Sequence, residues 1–222
     1  MILLDKLAKT YGRKPALAGL DLVVRTGEVL GFLGPNGAGK STTIRILLDL
    51  IRPSSGTVRV LGLDPRADAV ALHRRVGYLA GDFVVDGRQT AGDCLRFLAR
   101  LRGGAPRGRL DALAQRLDLD LSARIKGLSK GNRQKVGLIQ AFMHDPELLI
   151  LDEPSSGLDP LVQQTFVTMV AEAAANGQTV FMSSHVMAEV EAVATRVAII
   201  RNGRLVALDS VASLRSQVLR EL

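Results

Sequence analysis

A glycine-rich run between two regular segments constrains this chain more than any other feature. Residues 34–42 read Gly-Pro-Asn-Gly-Ala-Gly-Lys-Ser-Thr and fit the pattern G-x-x-x-x-G-K-S/T in full. The apolar run Val29–Leu33 before it predicts a strand. A helix is predicted from about Gly39 to the turn before Pro53, because apolar residues recur at helical spacing at Ile44, Leu47, Leu48 and Ile51.

The order strand, glycine loop, helix is the setting in which this pattern binds phosphate. Glycines let successive backbone N–H groups point at phosphate oxygens, and the helix adds partial positive charge at its N-terminus. Lys40 offers a point charge for the β- and γ-phosphates, and Ser41 offers a hydroxyl for Mg²⁺. A turn without a ligand is the plainer alternative. We predict a nucleoside triphosphate site at Gly34, Pro35, Asn36, Gly37, Ala38, Gly39, Lys40, Ser41 and Thr42.

Acidic and histidine side chains follow two more predicted strands. The apolar run Leu148–Leu151 leads into Asp152 and Glu153, and Thr179–Met182 leads to His185 within three residues. Ligands of open α/β sheets bind at the carboxyl ends of the strands, so we expect these groups to meet the glycine loop at one edge. Asp152 suits a Mg²⁺ ligand, Glu153 a general base for the attacking water, and His185 a γ-phosphate contact.

Strands that alternate with helices predict an α/β fold with a mainly parallel sheet covered on both faces. The alternation is interrupted from about residue 82 to 144, where helical patterns predominate. We therefore expect a single domain over residues 1–222. It would consist of an α/β core, residues 1–81 and 145–222, and an inserted helical subdomain.

Capping residues mark two of the predicted helices. Thr90 with Asp93 three residues later resembles a capping box, and Asp159 followed by Pro160 resembles a cap with proline at the first helical position. A last helix is predicted over Val211–Leu222.

Composition excludes several classes of protein. Of 222 residues, 47% are hydrophobic and 23% are charged, which is ordinary for a globular chain and unlike a disordered one. The single cysteine, Cys94, excludes a disulfide scaffold and a cysteine-based zinc site. No apolar run approaches the roughly 20 residues of a membrane span, and the N-terminus lacks the features of a signal peptide. We therefore expect a cytosolic protein, which can still act at a membrane through a partner.

The positive charge is concentrated in one segment. The chain carries a net charge of +7, whereas residues 88–135 alone hold twelve basic and four acidic residues, a net of +8. A solvated arginine-rich helical face explains this as well as a binding role does. The binding alternatives are anionic lipid headgroups, an acidic partner surface or nucleic acid.

The phosphate loop and five further ordered motifs resemble those of the ATP-binding subunits of ABC transporters, and the resemblance spans nearly the whole chain. Residues 34–42 match the Walker A loop, and Leu128-Ser-Lys-Gly-Asn132 matches the signature motif of that family. Asp152 and Glu153 match the Walker B aspartate and the catalytic glutamate. The other matches are the adenine-stacking aromatic at Tyr11, the D-loop aspartate at Asp159 and the switch histidine at His185.

The resemblance implies a fold, cofactors and partners. The fold would be a P-loop NTPase core with an N-terminal antiparallel β part, and the ligands would be ATP and Mg²⁺. The chain would form a head-to-tail dimer with itself or with a similar ATPase. Each ATP would lie between Lys40 of one subunit and the signature residues of the other, which are Ser129, Lys130, Gly131 and Asn132.

The signature and the arginine-rich lobe look most like the drug- and lipid-exporter branch, the ABC-2 type, whose membrane subunits are encoded separately. An integral membrane permease is the implied partner, and the chain would sit peripherally on the cytoplasmic side of the membrane. No nucleic acid partner is expected. Two other functions stay open at this point: a soluble ABC ATPase that acts on nucleic acid or ribosomes, and a nucleotide-dependent binding module with negligible turnover.

Two departures from the family pattern affect the expected site. Ala80 and Gly81 occupy the slots where the family usually has proline and glutamine, and Asp82 is the possible substitute as a metal ligand. The signature carries Lys130 and Asn132 where glycine and glutamine are commonest. Lys130 either adds positive charge near a phosphate or points to solvent.

Overall fold

A computed structural model describes residues 1–85 and 87–213 of the chain. Its N-terminal part is a three-stranded antiparallel sheet in the order β2-β1-β4. The strands are β1 (Ile2–Tyr11), β2 (Lys14–Val24) and β4 (Ser55–Val60). This sheet confirms the antiparallel β part that the family resemblance implied.

The second sheet has six strands in the order β5-β6-β7-β3-β8-β9. Its first five strands run parallel, and β9 pairs antiparallel with β8. The prediction of a mainly parallel sheet is therefore confirmed. The strands are β3 (Val29–Leu33), β5 (Val76–Leu79), β6 (Leu148–Asp152), β7 (Thr179–Ser184), β8 (Arg196–Arg201) and β9 (Arg204–Ser210).

Seven α-helices are present in the described part of the chain, three of them inserted between β5 and β6. The inserted helices are α3 (Ala91–Leu101), α4 (Arg109–Arg116) and α5 (Lys130–Phe142), with a 3₁₀ turn at Ile125–Gly127 between the last two. We call residues 87–144 the helical lobe. The other helices are α1 (Lys40–Leu47), α2 (Ala69–Arg75), α6 (Pro160–Ala175) and α7 (Met187–Glu191).

Strand β6 shows why the core strands are apolar on both faces. Its residues Leu148 and Ile150 pack into one hydrophobic cluster with α1 and the antiparallel sheet, and Leu149 and Leu151 pack into a second with α5 and α6. A parallel strand covered on both faces needs apolar residues at every position. The sheet is thus held between two cores, and polar groups are left for its strand ends.

The predicted caps are observed at two helices. The Thr90 hydroxyl accepts a hydrogen bond from the Asp93 N–H at the start of α3, and Asp159 accepts one from the Val162 N–H at the start of α6. Among residues 1–85 and 87–213, no helix has the length and apolar character that crossing a bilayer requires.

One predicted helix needs correction, one observed helix was not predicted, and one predicted helix lies mostly outside the described residues. The first helix ends at Leu47 instead of reaching Ile51, because Asp49 has a φ of 52° that no α-helix continues through. The short α2 was not predicted, since Leu72 is its one buried residue and gives no apolar period. The predicted last helix begins at Val211, but its residues 214–222 lie outside the described residues.

Candidate active site

The glycine loop leaves the end of β3 and is fixed by its neighbours in the sheet. The Gly34 N–H donates a hydrogen bond to the Ser184 carbonyl at 3.2 Å, which ties the loop to β7. A Cβ at Gly34 would lie 2.4 Å from the Ile200 carbonyl, so no side chain fits there. Gly39 has a φ of 113° directly before α1, a conformation that glycine adopts readily. Close packing therefore requires glycine at Gly34, and backbone conformation and packing together require it at Gly39.

Lys40 is the one cation buried beneath this loop among the described residues that line the cleft, with 5% of its surface exposed. Its Nζ donates to the Gly34 carbonyl at 2.6 Å and lies 3.3 Å from Oε1 of Glu153. A buried ammonium needs such partners because water does not reach it fully. The Gly34 carbonyl and the Glu153 carboxylate hold the lysine in place, and a phosphate bound at this loop would gain the same ammonium as a partner.

Strand β6 delivers the acidic pair, and β7 beside it holds the pair in position. The Ser183 hydroxyl donates to Oδ1 of Asp152, which is 5% exposed. The Glu153 N–H donates to both the carbonyl and the hydroxyl oxygen of Ser183 at 3.2 Å. Glu153 has a φ of 49°, a strained conformation for a residue with a Cβ, and these two hydrogen bonds hold it there.

The Glu153 carboxylate lies between two cationic or ionisable side chains. Its Oε2 is 2.7 Å from Nδ1 of His185, and its Oε1 faces Lys40. Glu153 and His185 directly follow β6 and β7, and Lys40 begins α1 after the loop that leaves β3, the next strand in the sheet. Adjacent parallel strands thus bring a lysine, a carboxylate and a histidine into one hydrogen-bonded chain.

A cleft of about 340 Å³ opens over the loop. Tyr11 lines it from the antiparallel sheet, is 47% exposed and has the ammonium of Lys9 5.2 Å from its ring centroid. An exposed aromatic ring at the rim of a phosphate cleft is suited to stacking on a base. The cleft is lined by Tyr11, Lys14, Pro15, Ala16, Pro35, Asn36, Gly37, Gly39, Lys40, Ser41, Thr42 and Glu153.

Asp82 and the signature residues lie elsewhere. Asp82 lines a separate cleft between β5 and the helical lobe. Gly81 packs against Asp152, because a Cβ added at Gly81 would lie 3.4 Å from the Cγ of Asp152. None of the signature residues Ser129, Lys130, Gly131 and Asn132 lines the phosphate cleft of this chain. One chain therefore holds two separate halves of the predicted site.

The signature residues form the start of α5 and pack on the loop after β6. The Ser129 hydroxyl accepts from the Asn132 N–H at 3.1 Å, and the Lys130 Nζ donates to the Ser156 hydroxyl at 3.1 Å. A Cβ at Gly131 would lie 2.6 Å from the Gly157 carbonyl. The signature turn and the loop toward Asp159 thus interlock within one chain.

Asp159 caps α6, and its surroundings favour the ionised carboxylate. The hydrogen bond from the Val162 N–H, and then the charge of Lys135, lower the pKa of its carboxyl group. The helix dipole also stabilises a negative charge at the N-terminus of α6, so it lowers the pKa of Asp159 as well. The aspartate is therefore fixed and charged on an exposed surface beside the signature turn.

Two positioning residues were missed by the sequence reasoning. Ser183 bonds both Asp152 and the Glu153 backbone, and Gln134 of α5 donates from Nε2 to the carbonyls of Glu153 at 3.3 Å and Pro154 at 3.0 Å. Gln134 therefore connects the helical lobe to the turn that follows β6. The position of Ser183 at the end of a core strand could have indicated its positioning role. The sequence holds no such indication for Gln134, whose role follows only from the packing of α5 beside β6.

A glycine loop that encloses a buried lysine, set beside carboxylates at adjacent strand ends, defines a P-loop nucleotide-binding protein. A family model described as ABC transporter matches residues 17–156. The bacitracin transport ATP-binding protein BcrA of Enterococcus faecalis is 33% identical over 96% of this chain and 70% of that protein. The daunorubicin resistance ATP-binding protein DrrA3 of Streptomyces coeruleorubidus is 36% identical over 97% and 70%.

A solved structure of an ATP-binding subunit of an ABC transporter superposes with a TM-score of 0.89 at 29% identity, covering 98% of this chain and 93% of that one. This chain belongs to the ABC transporter ATP-binding family. It is an ATP-hydrolysing subunit of an exporter-type system, and the comparisons give no support to the nucleic-acid alternative.

Proposed function

We propose that the chain binds MgATP in the phosphate cleft, hydrolyses it with Glu153 as general base, and drives export through a separate permease. The observation that carries this proposal is the placement of the Glu153 carboxylate between Lys40 and His185. A general base must lie within hydrogen-bond reach of the water that it activates, close to the phosphate under attack. Glu153 meets that requirement if the γ-phosphate lies at Lys40.

Ser41 and Asp152 are the residues that would hold Mg²⁺. Asp152 is a buried carboxylate that forms no ion pair with a described residue, and buried charges are normally paired or bound to a metal. Residues 1–85 and 87–213 contain no cluster of three or more metal-binding side chains, which fits an ion held by few protein groups plus phosphate oxygens. When bound, the ion would neutralise phosphate charge.

Lys40, Glu153 and His185 would divide the work on the γ-phosphate. The phosphate would draw the Lys40 ammonium away from Glu153, which then accepts a proton from the attacking water. A neutral imidazole has one N–H, so His185 would donate either to Glu153, as through Nδ1 here, or to a γ-phosphate oxygen, and donating to both requires a proton on each ring nitrogen. Asp82 would contact the metal only if its loop turned toward Asp152. Asp82→Ala tests that role through the Mg²⁺ dependence of hydrolysis.

The signature surface needs a second chain. Ser129 and the N-terminus of α5 are exposed and outside the phosphate cleft, yet a helix N-terminus binds phosphate well. We infer that these groups close over the ATP bound by a second ATPase subunit, either a copy of this chain or a similar one. ATP would then join two surfaces that separate after hydrolysis.

A groove between the core and the helical lobe is our candidate for the permease contact at the membrane surface. It encloses about 440 Å³, and Leu50, Val70 and Leu101 at its rim are each more than half exposed. Arg102 at the groove donates to the Val76 carbonyl and to Gln140, and it pairs with no carboxylate of the described residues. An amphipathic permease helix that carries one acidic residue fits both features.

Two substitutions at the groove test the permease contact. Val70→Glu and Leu101→Glu should prevent co-purification with the permease while the isolated chain keeps its rate of ATP hydrolysis. Leu161→Glu is a matched control, because Leu161 is equally exposed but lies on α6, away from the groove. Equal loss in all three variants would contradict the assignment.

Glu153→Gln tests the proposed chemistry. The amide keeps the size of the side chain but cannot accept the proton, so steady-state phosphate release should fall by about 10²- to 10⁴-fold, the usual contribution of a general acid–base group. ATP affinity should remain within a few-fold of the wild type. Hydrolysis at the wild-type rate would show that another group activates the water.

A further inference from the structure

His185 is the most exposed member of the chain formed by Lys40, Glu153 and His185. Its side chain is 54% exposed, compared with 21% for Glu153 and 6% for Lys40. Among the described residues its ring has one hydrogen-bond partner, Glu153. A group that acts on a phosphate must be held within about 0.5 Å of its working position. The backbone around His185 therefore has to be fixed by other residues.

Ser184, the last residue of β7, fixes that backbone from within the core. It is fully buried, and its hydroxyl oxygen accepts a hydrogen bond from the Val186 N–H at 3.0 Å. Its carbonyl accepts the hydrogen bond from the Gly34 N–H at 3.2 Å. The first bond closes the backbone around His185, and the second sets that backbone against the glycine loop. One serine thus determines where the histidine lies relative to the phosphate cleft.

Glu189 of α7 holds the serine hydroxyl in its orientation. Its Oε2 accepts from the Ser184 hydroxyl at 2.5 Å, and it forms no ion pair with a described residue. A hydroxyl has one proton and two lone pairs, so donating to the carboxylate leaves a lone pair for the Val186 N–H. The charged acceptor also polarises the hydroxyl, which strengthens the bond that the hydroxyl accepts. Neither Glu189 nor Ser184 lines the phosphate cleft.

We propose that Glu189 and Ser184 are positioning residues for ATP hydrolysis and hold His185 at the γ-phosphate. The inference deepens the proposed function and rests on its assignment of His185 to that phosphate. Hydrogen bonds connect Glu189 through Ser184 to the glycine loop, so the carboxylate acts on the reaction without touching ATP. Glu189 also lies in the first turn of α7, where a carboxylate stabilises a helix. A role confined to helix stability would leave the rate of hydrolysis unchanged.

The kcat for ATP hydrolysis and the Kd for ADP of the full chain test the proposal. Glu189→Ala should lower kcat about 10-fold, the low end for a hydrogen bond to a charged group, and Ser184→Ala should lose the same factor. ADP has no γ-phosphate, so its Kd should stay within about two-fold in both variants. Glu189→Gln offers an amide oxygen to the serine and should recover kcat to within about three-fold of the wild type.

Glu172→Ala is the matched control. It removes a carboxylate that is bonded to Arg116 at 2.6 Å on α6, away from His185, and it should keep the wild-type kcat. A loss in Glu172→Ala equal to that in Glu189→Ala would overturn the inference.

A double variant shows whether Glu189 acts through the histidine. His185→Ala alone should lower kcat about 100-fold, the usual cost of one lost charge-stabilising donor, and His185→Ala/Glu189→Ala should be no slower. Losses that multiply in the double variant would overturn the inference. So would a wild-type kcat in Glu189→Ala, or equal losses of kcat and ADP affinity, which would indicate a structural role only. A wild-type kcat in His185→Ala would contradict the proposed function as well, whereas the other contrary results leave that function intact.

Discussion

The phosphate cleft and the signature surface are both predicted to touch ATP, yet they are built differently. In the cleft, Lys40 is buried and held by backbone carbonyls, and Gly34 is fixed by packing against β8. On the signature surface, Ser129 and Lys130 are exposed and bond only their own chain. One region is complete within a single chain, and the other offers groups to a ligand that must come from outside. The difference indicates where each kind of mutation should act.

Lys40→Ala should have the largest effect, because the cleft loses its buried cation. We expect the Kd for ATP to rise roughly 100-fold or more, since one charged hydrogen bond contributes about 1.5–3 kcal/mol and Lys40 would make several. Isothermal titration with ATP measures this. Lys14→Ala is the control, because Lys14 lines the same cleft from β2. Its affinity should fall only a few-fold, and equal losses would refute the special role of Lys40.

Gly131→Ala should disturb the signature surface and leave the phosphate cleft intact. Its new Cβ would lie 2.6 Å from the Gly157 carbonyl, whereas a Cβ at Gly127 meets no atom within 4 Å. We expect Gly131→Ala to lower the free energy of unfolding by about 1–3 kcal/mol and Gly127→Ala to change it by under about 0.5 kcal/mol. Urea unfolding measures both. Similar stabilities would show that the signature turn tolerates a side chain.

His144 tests the attachment of the lobe to the core. Burial, and then the charge of Arg102, lower the pKa of His144 to about 4, compared with about 6.5 in an unfolded chain. Between these values the unfolded state binds more protons, so the free energy of unfolding falls as the pH is lowered from 6.5 to 4. His144→Gln should remove about 1 kcal/mol of that fall, a value reduced for solvent screening. The free energy of unfolding is measured by urea titration at several pH values. If it falls with decreasing pH as steeply in His144→Gln as in the wild type, the assignment is contradicted.

Lys130 is expected to give the smallest effect and decides between its two possible roles. If Lys130 acts through Ser156, then Lys130→Met and Ser156→Ala should each weaken ATP-dependent dimerisation about two- to three-fold, and the double variant should lose no more. A loss of ATP affinity in Lys130→Met alone would mean that its charge acts on phosphate directly. Lys130→Arg, which keeps a donor, should restore the wild-type behaviour.

Much of the α/β core could be predicted because its residues act locally. Apolar runs such as Leu148–Leu151 are dictated by burial on both faces, and the glycine loop by its own backbone. The hydrogen bond from Gln134 to the Glu153 carbonyl could not be predicted, because it joins two residues 19 positions apart in the sequence and depends on how α5 packs beside β6. The separation of Asp82 from the phosphate cleft likewise depends on the path of a loop that carries no apolar period.

The mass of the Glu153→Gln chain in solution, with and without saturating MgATP, tests the central claim most directly. This variant should hold ATP without consuming it, so the two halves of the site should stay joined. The account predicts the mass of one chain without nucleotide and of two chains with it, and a single chain under both conditions for a Ser129→Arg/Glu153→Gln double variant. A Glu153→Gln chain that binds MgATP and remains a monomer would contradict the account.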